Sequence, residues 1–226
     1  TMVQFSTAVT LDQAVPESDD LKRAAHKLSL LMRVHFRRLR TAVIGPDLSH
    51  RRTLVDAVVR SAPVREAIAA QAAKEKGGNS AALAKARSYA REVAADYSHP
   101  VVRSLSFILS AFWNRIYDGI SMHHFDELRQ NAPNFEIVYV PCHRSHIDYL
   151  VLSYLLYRNG LVPPHIAAGV NLNLPIVGPI LRRGGAFFLR RSFKANALYS
   201  AVFSEYVAQL IRQGVALEYF IEGGRS

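Results

Sequence analysis

"FEIVYVPCHRSHIDYLVLSYLLYRNG", residues 135–160, decides the fold. Its first part, "EIVYV" (136–140), is β-rich and almost wholly apolar, as expected of a buried strand. "SHIDYLVLSYLLYRNG" is apolar at helical spacing and is expected to stop at Gly160. Between them lies "PCHRSHIDYL" (141–150), with two histidines, an arginine, a serine and an aspartate in one short window. A strand, a polar turn and a helix in that order mark one repeat of an α/β sheet.

Later residues repeat the alternation. "PHIAAG" and "AFFLRR" read as short strands, "KANALYSAVFSEYVAQLIRQG" as a long helix closed by Gly214, and "ALEYFIEGG" as a strand entering a turn. Upstream the texture is helical. A basic, imperfectly amphipathic helix is expected over Leu21–Ile44, stopped by Gly45-Pro46. A second is expected from about Thr53 to Glu75, with a break near Ser61-Ala62-Pro63. Ser80 reads as the N-cap of an Ala-rich helix to about Tyr97, and Pro100 as the first turn of one reaching about Tyr117. The expected class is α/β, with a helical N-terminal region (1–130) and a mixed or parallel sheet flanked by helices (131–226).

Composition narrows the function. Lys and Arg number 28 against 18 Asp and Glu, a formal +10, which favours anionic partners. The single cysteine, Cys142, excludes an intramolecular disulfide and fits a reducing compartment. "TMVQFSTAV" lacks a basic stretch followed by an apolar one, so no secretory signal is expected there. No apolar run approaches the roughly 18–20 residues needed to cross a bilayer. Thr1 precedes Met2 and the sequence stops just past a strand, so a segment of a longer chain is expected.

Ligands of open α/β sheets gather where strands hand over to loops. Three polar turns occupy such places, at 141–148, 182–191 and 222–226. In the first, His143 and Asp148 would lie roughly 140° apart on a continuous helix. They meet only if His143 is still in the turn and Asp148 opens the helix. A histidine held by a carboxylate is a general base with a fixed tautomer. The helix N-terminus near 145–147 offers N–H groups to an oxyanion, and Ser145 suits an N-cap or a ligand contact. The same window also admits two histidine metal ligands (without a clear third), a Cys142 nucleophile, or a structural cap. In the second turn Arg182, Arg183, Arg190 and Arg191 bracket a glycine pair, an arrangement suited to a phosphate or to an ordinary strand edge. In the third, Glu222 can hold Arg225, Gly223 and Gly224 allow a tight turn, and Ser226 adds a hydroxyl. Jointly these turns describe a site that deprotonates a hydroxyl on a phosphorylated small molecule.

The ordered blocks His-x4-Asp (143–148), Gly-x-Phe-Phe-x-Arg-Arg (185–191) and Phe-x-Glu-Gly-x-Arg-Ser (220–226) resemble those of the glycerolipid acyltransferases. The wording between them, and "GPDLSHRRTLV" upstream, is similar to the bacterial PlsB-type glycerol-3-phosphate acyltransferases, from about residue 45 onward. The resemblance implies acyl transfer from acyl-CoA or acyl-carrier protein to the sn-1 hydroxyl of glycerol 3-phosphate, giving lysophosphatidate. It implies His143 as base and Asp148 as its orienting partner, with Arg144 and Ser145 beside the reacting groups. It places Phe188, Arg190, Arg191, Glu222, Gly223, Arg225 and Ser226 at the glycerol 3-phosphate. It implies no metal and no cofactor, an anionic lipid surface as partner, and association with the cytoplasmic face of the bacterial inner membrane. Lysophosphatidate acyltransferases share the same blocks and are the alternative within the superfamily. A nucleic-acid-binding module would spread its arginines along one face among stacking aromatics, whereas these cluster at strand-end turns.

Overall fold

The strand expected at 136–140 forms, but only Val138–Tyr139 (β1) pairs, and Val138 and Val140 are exposed. β1 lies at the edge of its sheet, and both valines face an open cleft. The computed structural model describes residues 25, 28, 29, 32, 51–117, 119–132, 135–142, 145, 147–192 and 196–221. The helix expected over Leu21–Ile44 falls mostly outside these residues; Ala25, Leu28, Ser29 and Met32 are helical.

From Arg51 onward the described residues form eight α-helices and four strands. The helices are α1 (Arg51–Arg60), α2 (Ala62–Ala72), α3 (Gly78–Val93), α4 (His99–Ile116), α5 (Phe125–Asn131), α6 (Asp148–Arg158), α7 (Val177–Arg183) and α8 (Ala197–Arg212). After β1 come β2 (His165–Gly169), β3 (Ala186–Leu189) and β4 (Leu217–Glu218). The sheet order is β1-β4-β2-β3, and every pair is parallel. Each connection crosses over through a helix, as parallel pairing requires. All four strands therefore deliver their C-terminal ends to the same side, where β1 leads into the polar turn and β3 into Arg190 and Arg191.

Local chemistry explains most boundaries. The anticipated break falls at Ser61, with Pro63 in the first turn of α2, where its missing N–H costs nothing. Gly160 adopts φ +81° after α6, and the Leu161 N–H closes the helix on the Leu156 carbonyl at 2.9 Å. The Asn196 side chain caps α8 by accepting the Tyr199 N–H at 3.0 Å.

Helix α3 departs from expectation at both ends. It begins at Gly78, two residues before Ser80, and stops at Val93 rather than near Tyr97. Tertiary bonds claim the groups that another helical turn would need. Arg182 donates to the Glu92 and Ala94 carbonyls at 2.7 and 2.6 Å. The Ala95 N–H bonds the Tyr206 hydroxyl at 3.0 Å, and the Asp96 and Ser98 N–H groups bond the Arg182 and Arg183 carbonyls. Residues 94–98 thus run extended beside α7 and β3.

The main core is shared by both halves of the chain. Val58, Val64, Ala82, Ala86 and Val93 of α1–α3 pack with Leu198, Val202, Tyr206 and Leu210 of α8 and with Phe187 and Leu217 of the sheet. Phe187 meets Tyr206 at a ring separation of 5.6 Å. A smaller cluster of Ala168, Ala186 and Phe188 lies apart from it, with Leu172 and Leu181 packed on it. Gly185 joins α7 to β3 at φ +107°, and a Cβ there would approach the Pro164 carbonyl to 3.2 Å. None of the described helices is long and apolar enough to cross a membrane.

Candidate active site

Asp148 is the first residue of α6, which follows β1 through the polar turn. Its carboxylate turns back, and Oδ2 accepts the Ser145 N–H at 2.6 Å. The Ser145 Oγ accepts the Ile147 N–H at 3.3 Å, and the Asp148 N–H bonds the Ser145 carbonyl at 3.2 Å. These local bonds fix the aspartate at the strand–helix junction. The N–H groups of 145 and 147, expected to serve an oxyanion, are already bonded within the turn. Ser145 was expected as a possible N-cap, but α6 begins three residues later and Ile147 occupies that position. His143, Arg144 and His146 lie outside the described residues, as do Glu222, Gly223, Arg225 and Ser226.

The arginines of the second turn divide by surroundings. Arg182 is buried, with its guanidinium 4.5 Å from the Phe188 ring centroid and its donors spent on two carbonyls of α3 and the segment after it. It holds the end of α3 against the sheet and is not positioned to take a ligand. Phe188, expected at the substrate, is fully buried beneath that guanidinium, in the smaller core cluster.

Arg190 ends β3 and grips Glu92 through two parallel bonds, Nε to Oε1 and Nη2 to Oε2, both 2.7 Å. Its guanidinium also lies 5.0 and 4.8 Å from the Tyr89 and Tyr199 rings. The Glu92 hydrogen bonds and charge push its pKa further up. Asn196 donates to the Tyr89 hydroxyl at 2.9 Å, and the Tyr199 hydroxyl accepts the Arg190 N–H at 3.2 Å. These contacts tie the end of β3 to α3 and α8. Arg191, next in the chain, is exposed.

The end of β3 borders a cleft of about 1390 Å³, which Val140 and Tyr149, on either side of the polar turn after β1, also line. Val102 and Leu105 of α4, Leu150 of α6, and Ile166 and Ala168 of β2 give it apolar walls. Arg190 and Arg191 line it as well, alongside Tyr219 and Phe220 from the end of β4. The cleft thus joins an apolar surface to a basic end, the composition needed by a ligand with a hydrocarbon part and an anionic part. Among the described residues, no group of three or more His, Cys, Asp or Glu is placed to hold a metal ion.

Two features escaped the sequence reading. Glu92 carried no signal, because its partner Arg190 lies 98 residues away. Glu218 looked like one residue of an apolar strand, yet it borders the cleft with its carboxyl fully buried.

Residues 122–226 match the family model described as Acyltransferase, and residues 1–45 match that described as Glycerol-3-phosphate acyltransferase PlsB N-terminal domain. A curated protein of Xanthomonas axonopodis pv. citri named Glycerol-3-phosphate acyltransferase is 60% identical over 226 residues, which is all of this chain and 26% of that protein. One of Pseudomonas putida with the same name is 55% identical over all of this chain and 27% of its own length. The similarity therefore reaches the first 45 residues, beyond the region where the resemblance was read. The chain spans about a quarter of the length of the curated relatives it matches. Its residues 122–226 are thus similar to the acyltransferase family, and its residues 1–45 to the PlsB-type N-terminal domain.

Proposed function

We propose that the protein containing this chain transfers a fatty acyl group from acyl-CoA or acyl-carrier protein to the sn-1 hydroxyl of glycerol 3-phosphate, producing lysophosphatidate. The observation that carries this reading is the position of Asp148. It opens α6 directly after β1, with its carboxylate folded back into the turn that contains His143. That is the strand–turn–helix geometry in which a carboxylate five residues on can orient the histidine.

In this mechanism His143 removes the hydroxyl proton as the oxygen attacks the thioester carbonyl carbon. The tetrahedral intermediate collapses with cleavage of the C–S bond, and the imidazolium returns its proton to the departing thiolate. Asp148 fixes the tautomer and stabilises the imidazolium. The thioester is already activated for acyl transfer, so the chemistry calls for no metal, cofactor or acyl-enzyme. Arg191, exposed at the basic end of the cleft, joins Arg225 and Ser226 on the phosphate. Arg144 and Ser145 serve beside the reacting groups, and Glu222 and Gly223 in glycerol 3-phosphate binding. Arg190 faces the same region while held by Glu92.

The substrate surface is the cytoplasmic face of the inner membrane. A formal charge of +10 supports attraction to anionic lipid, at about 1 kcal/mol per basic residue near the surface.

The test is acyl transfer by the whole protein from a labelled acyl-CoA, with glycerol 3-phosphate and lysophosphatidate offered in competition. Labelled lysophosphatidate is the expected product, and His143→Ala should lower turnover by orders of magnitude with an unchanged circular dichroism spectrum. Transfer to lysophosphatidate alone would reassign the acceptor, and near-normal turnover of His143→Ala would remove the base. Flotation with anionic vesicles at low salt tests the membrane; protein that stays unbound contradicts it.

A further inference from the structure

β4 is two residues long and lies between β1 and β2. Leu217 joins the main core, so Glu218 projects to the opposite side of the sheet, level with Tyr139 of β1 and Ile166 of β2. There it is 0% exposed, lines the cleft, and has no hydrogen-bond partner on either carboxyl oxygen. Ser153 of α6 lines the same cleft, and its Oγ is also buried and without a partner. Buried polar groups almost always find partners, and an unsatisfied one costs on the order of 1–3 kcal/mol. Two such groups in one cleft point to bonds completed by a ligand.

We propose that Glu218 and Ser153 form a polar subsite in the apolar part of the cleft, which hydrogen-bonds a neutral hydroxyl or amide group of a bound substrate. The subsite rests on the acyl-transfer reading, which supplies both chemistries: a hydroxyl on the phosphorylated acceptor and amides along the arm of a thioester donor. Burial raises the Glu218 pKa to about 8, so near neutral pH the carboxyl is mainly protonated. A protonated carboxyl both donates and accepts, and so does the serine hydroxyl. Neither attracts a second charge, which leaves the anionic part of the ligand to the arginines at the basic end.

The experiment uses the whole protein with Glu218→Leu, Glu218→Gln and Ser153→Ala. KM and kcat are measured separately for acyl-CoA and for glycerol 3-phosphate, together with Tm. Glu218→Leu should raise KM for one of the two about tenfold without lowering Tm, since it removes a buried polar group from apolar surroundings. Glu218→Gln, which still donates and accepts, should stay within about threefold of wild type. Ser153→Ala should raise the same KM several-fold. A donor effect identifies an amide, and an acceptor effect a hydroxyl. Normal wild-type turnover with both KM values unchanged in a folded Glu218→Leu protein overturns the subsite and leaves the acyl-transfer reading intact. If wild type transfers no acyl group, that reading fails on its own, and calorimetric titration of the two compounds decides the subsite. Weaker binding of either compound to Glu218→Leu supports it; equal binding, or none by wild type, overturns it.

Discussion

Arg190 and Glu92, 98 residues apart, are joined by two parallel hydrogen bonds of 2.7 Å, and the guanidinium lies against the rings of Tyr89 and Tyr199. This clamp fixes the end of β3 at the rim of the cleft. The Arg190 side chain is 38% exposed, so solvent screening holds the ion pair to roughly 1 kcal/mol. Arg190→Ala and Glu92→Ala should each destabilise the fold by about that amount or slightly more. Denaturant unfolding of both singles and the double should show a coupling of about 1 kcal/mol. Strict additivity would mean that the pair contributes nothing jointly.

Arg191 and Arg182 should respond in opposite ways. Arg191 is exposed and lines the cleft, so Arg191→Ala should raise KM for glycerol 3-phosphate about tenfold and leave Tm within a degree or two. Arg182 is buried and bonds two carbonyls, so Arg182→Ala should cost on the order of 2–4 kcal/mol of stability. Paired Tm and KM measurements separate the two roles.

Asp148 accepts the Ser145 N–H, so its replacement affects both the turn and the neighbouring histidine. Asp148→Asn should lower kcat by about 10²–10⁴-fold while the fold persists, because the amide favours the wrong histidine tautomer. Steady-state kinetics beside a thermal melt give the answer. Equal losses of kcat and Tm would reduce Asp148 to a structural cap.

Phe188 is fully buried under Arg182 and forms no part of the cleft wall. Phe188→Ala should therefore cost about 3–5 kcal/mol in denaturant unfolding. Phe188→Leu, which keeps most of the volume, should fold and retain KM for glycerol 3-phosphate within about twofold.

Stability should fall on both sides of a window near pH 5–6. Burial raises the Glu218 pKa from 4.5 to about 8, which disfavours its ionised form in the folded state. Its contribution is fully present below pH 4.5 and is lost as pH rises through 8, by roughly 1.4 kcal/mol per unit within that interval. His165, buried and stacked on Tyr97, has its pKa lowered from 6.5 to about 4. Its contribution is present above pH 6.5 and is lost as pH falls through 4. Urea midpoints measured from pH 4 to 9 should show that Glu218→Gln abolishes the alkaline decline and leaves the acidic one. A parallel shift at every pH would contradict the assignment.

Periodicity and punctuation in the sequence determined the order of elements. "EIVYV", "PHIAAG", "AFFL" and "ALEYF" mark strands because β-branched and aromatic residues are bounded by turn residues. Gly160 and Gly214 mark helix ends because glycine accepts the positive φ found there, and Pro63 and Pro100 mark helix starts because the first turn needs no proline N–H. The same local spacing required Asp148 to open the helix after β1, and it does, with its carboxylate turned back on Ser145. Tertiary structure decided what depends on distant partners. It ended α3 at Val93 because Arg182 takes the carbonyls there, and it divided four similar arginines into a buried brace, a clamp and exposed cations. It also buried Glu218 between two strands that approach it from 52 and 79 residues upstream. Local sequence encodes backbone preference and amphipathic faces, whereas desolvation and ion pairing depend on which chain segments are brought together. A charge 98 residues away leaves no trace in the pattern around Arg190, yet it sets how that side chain can meet a ligand.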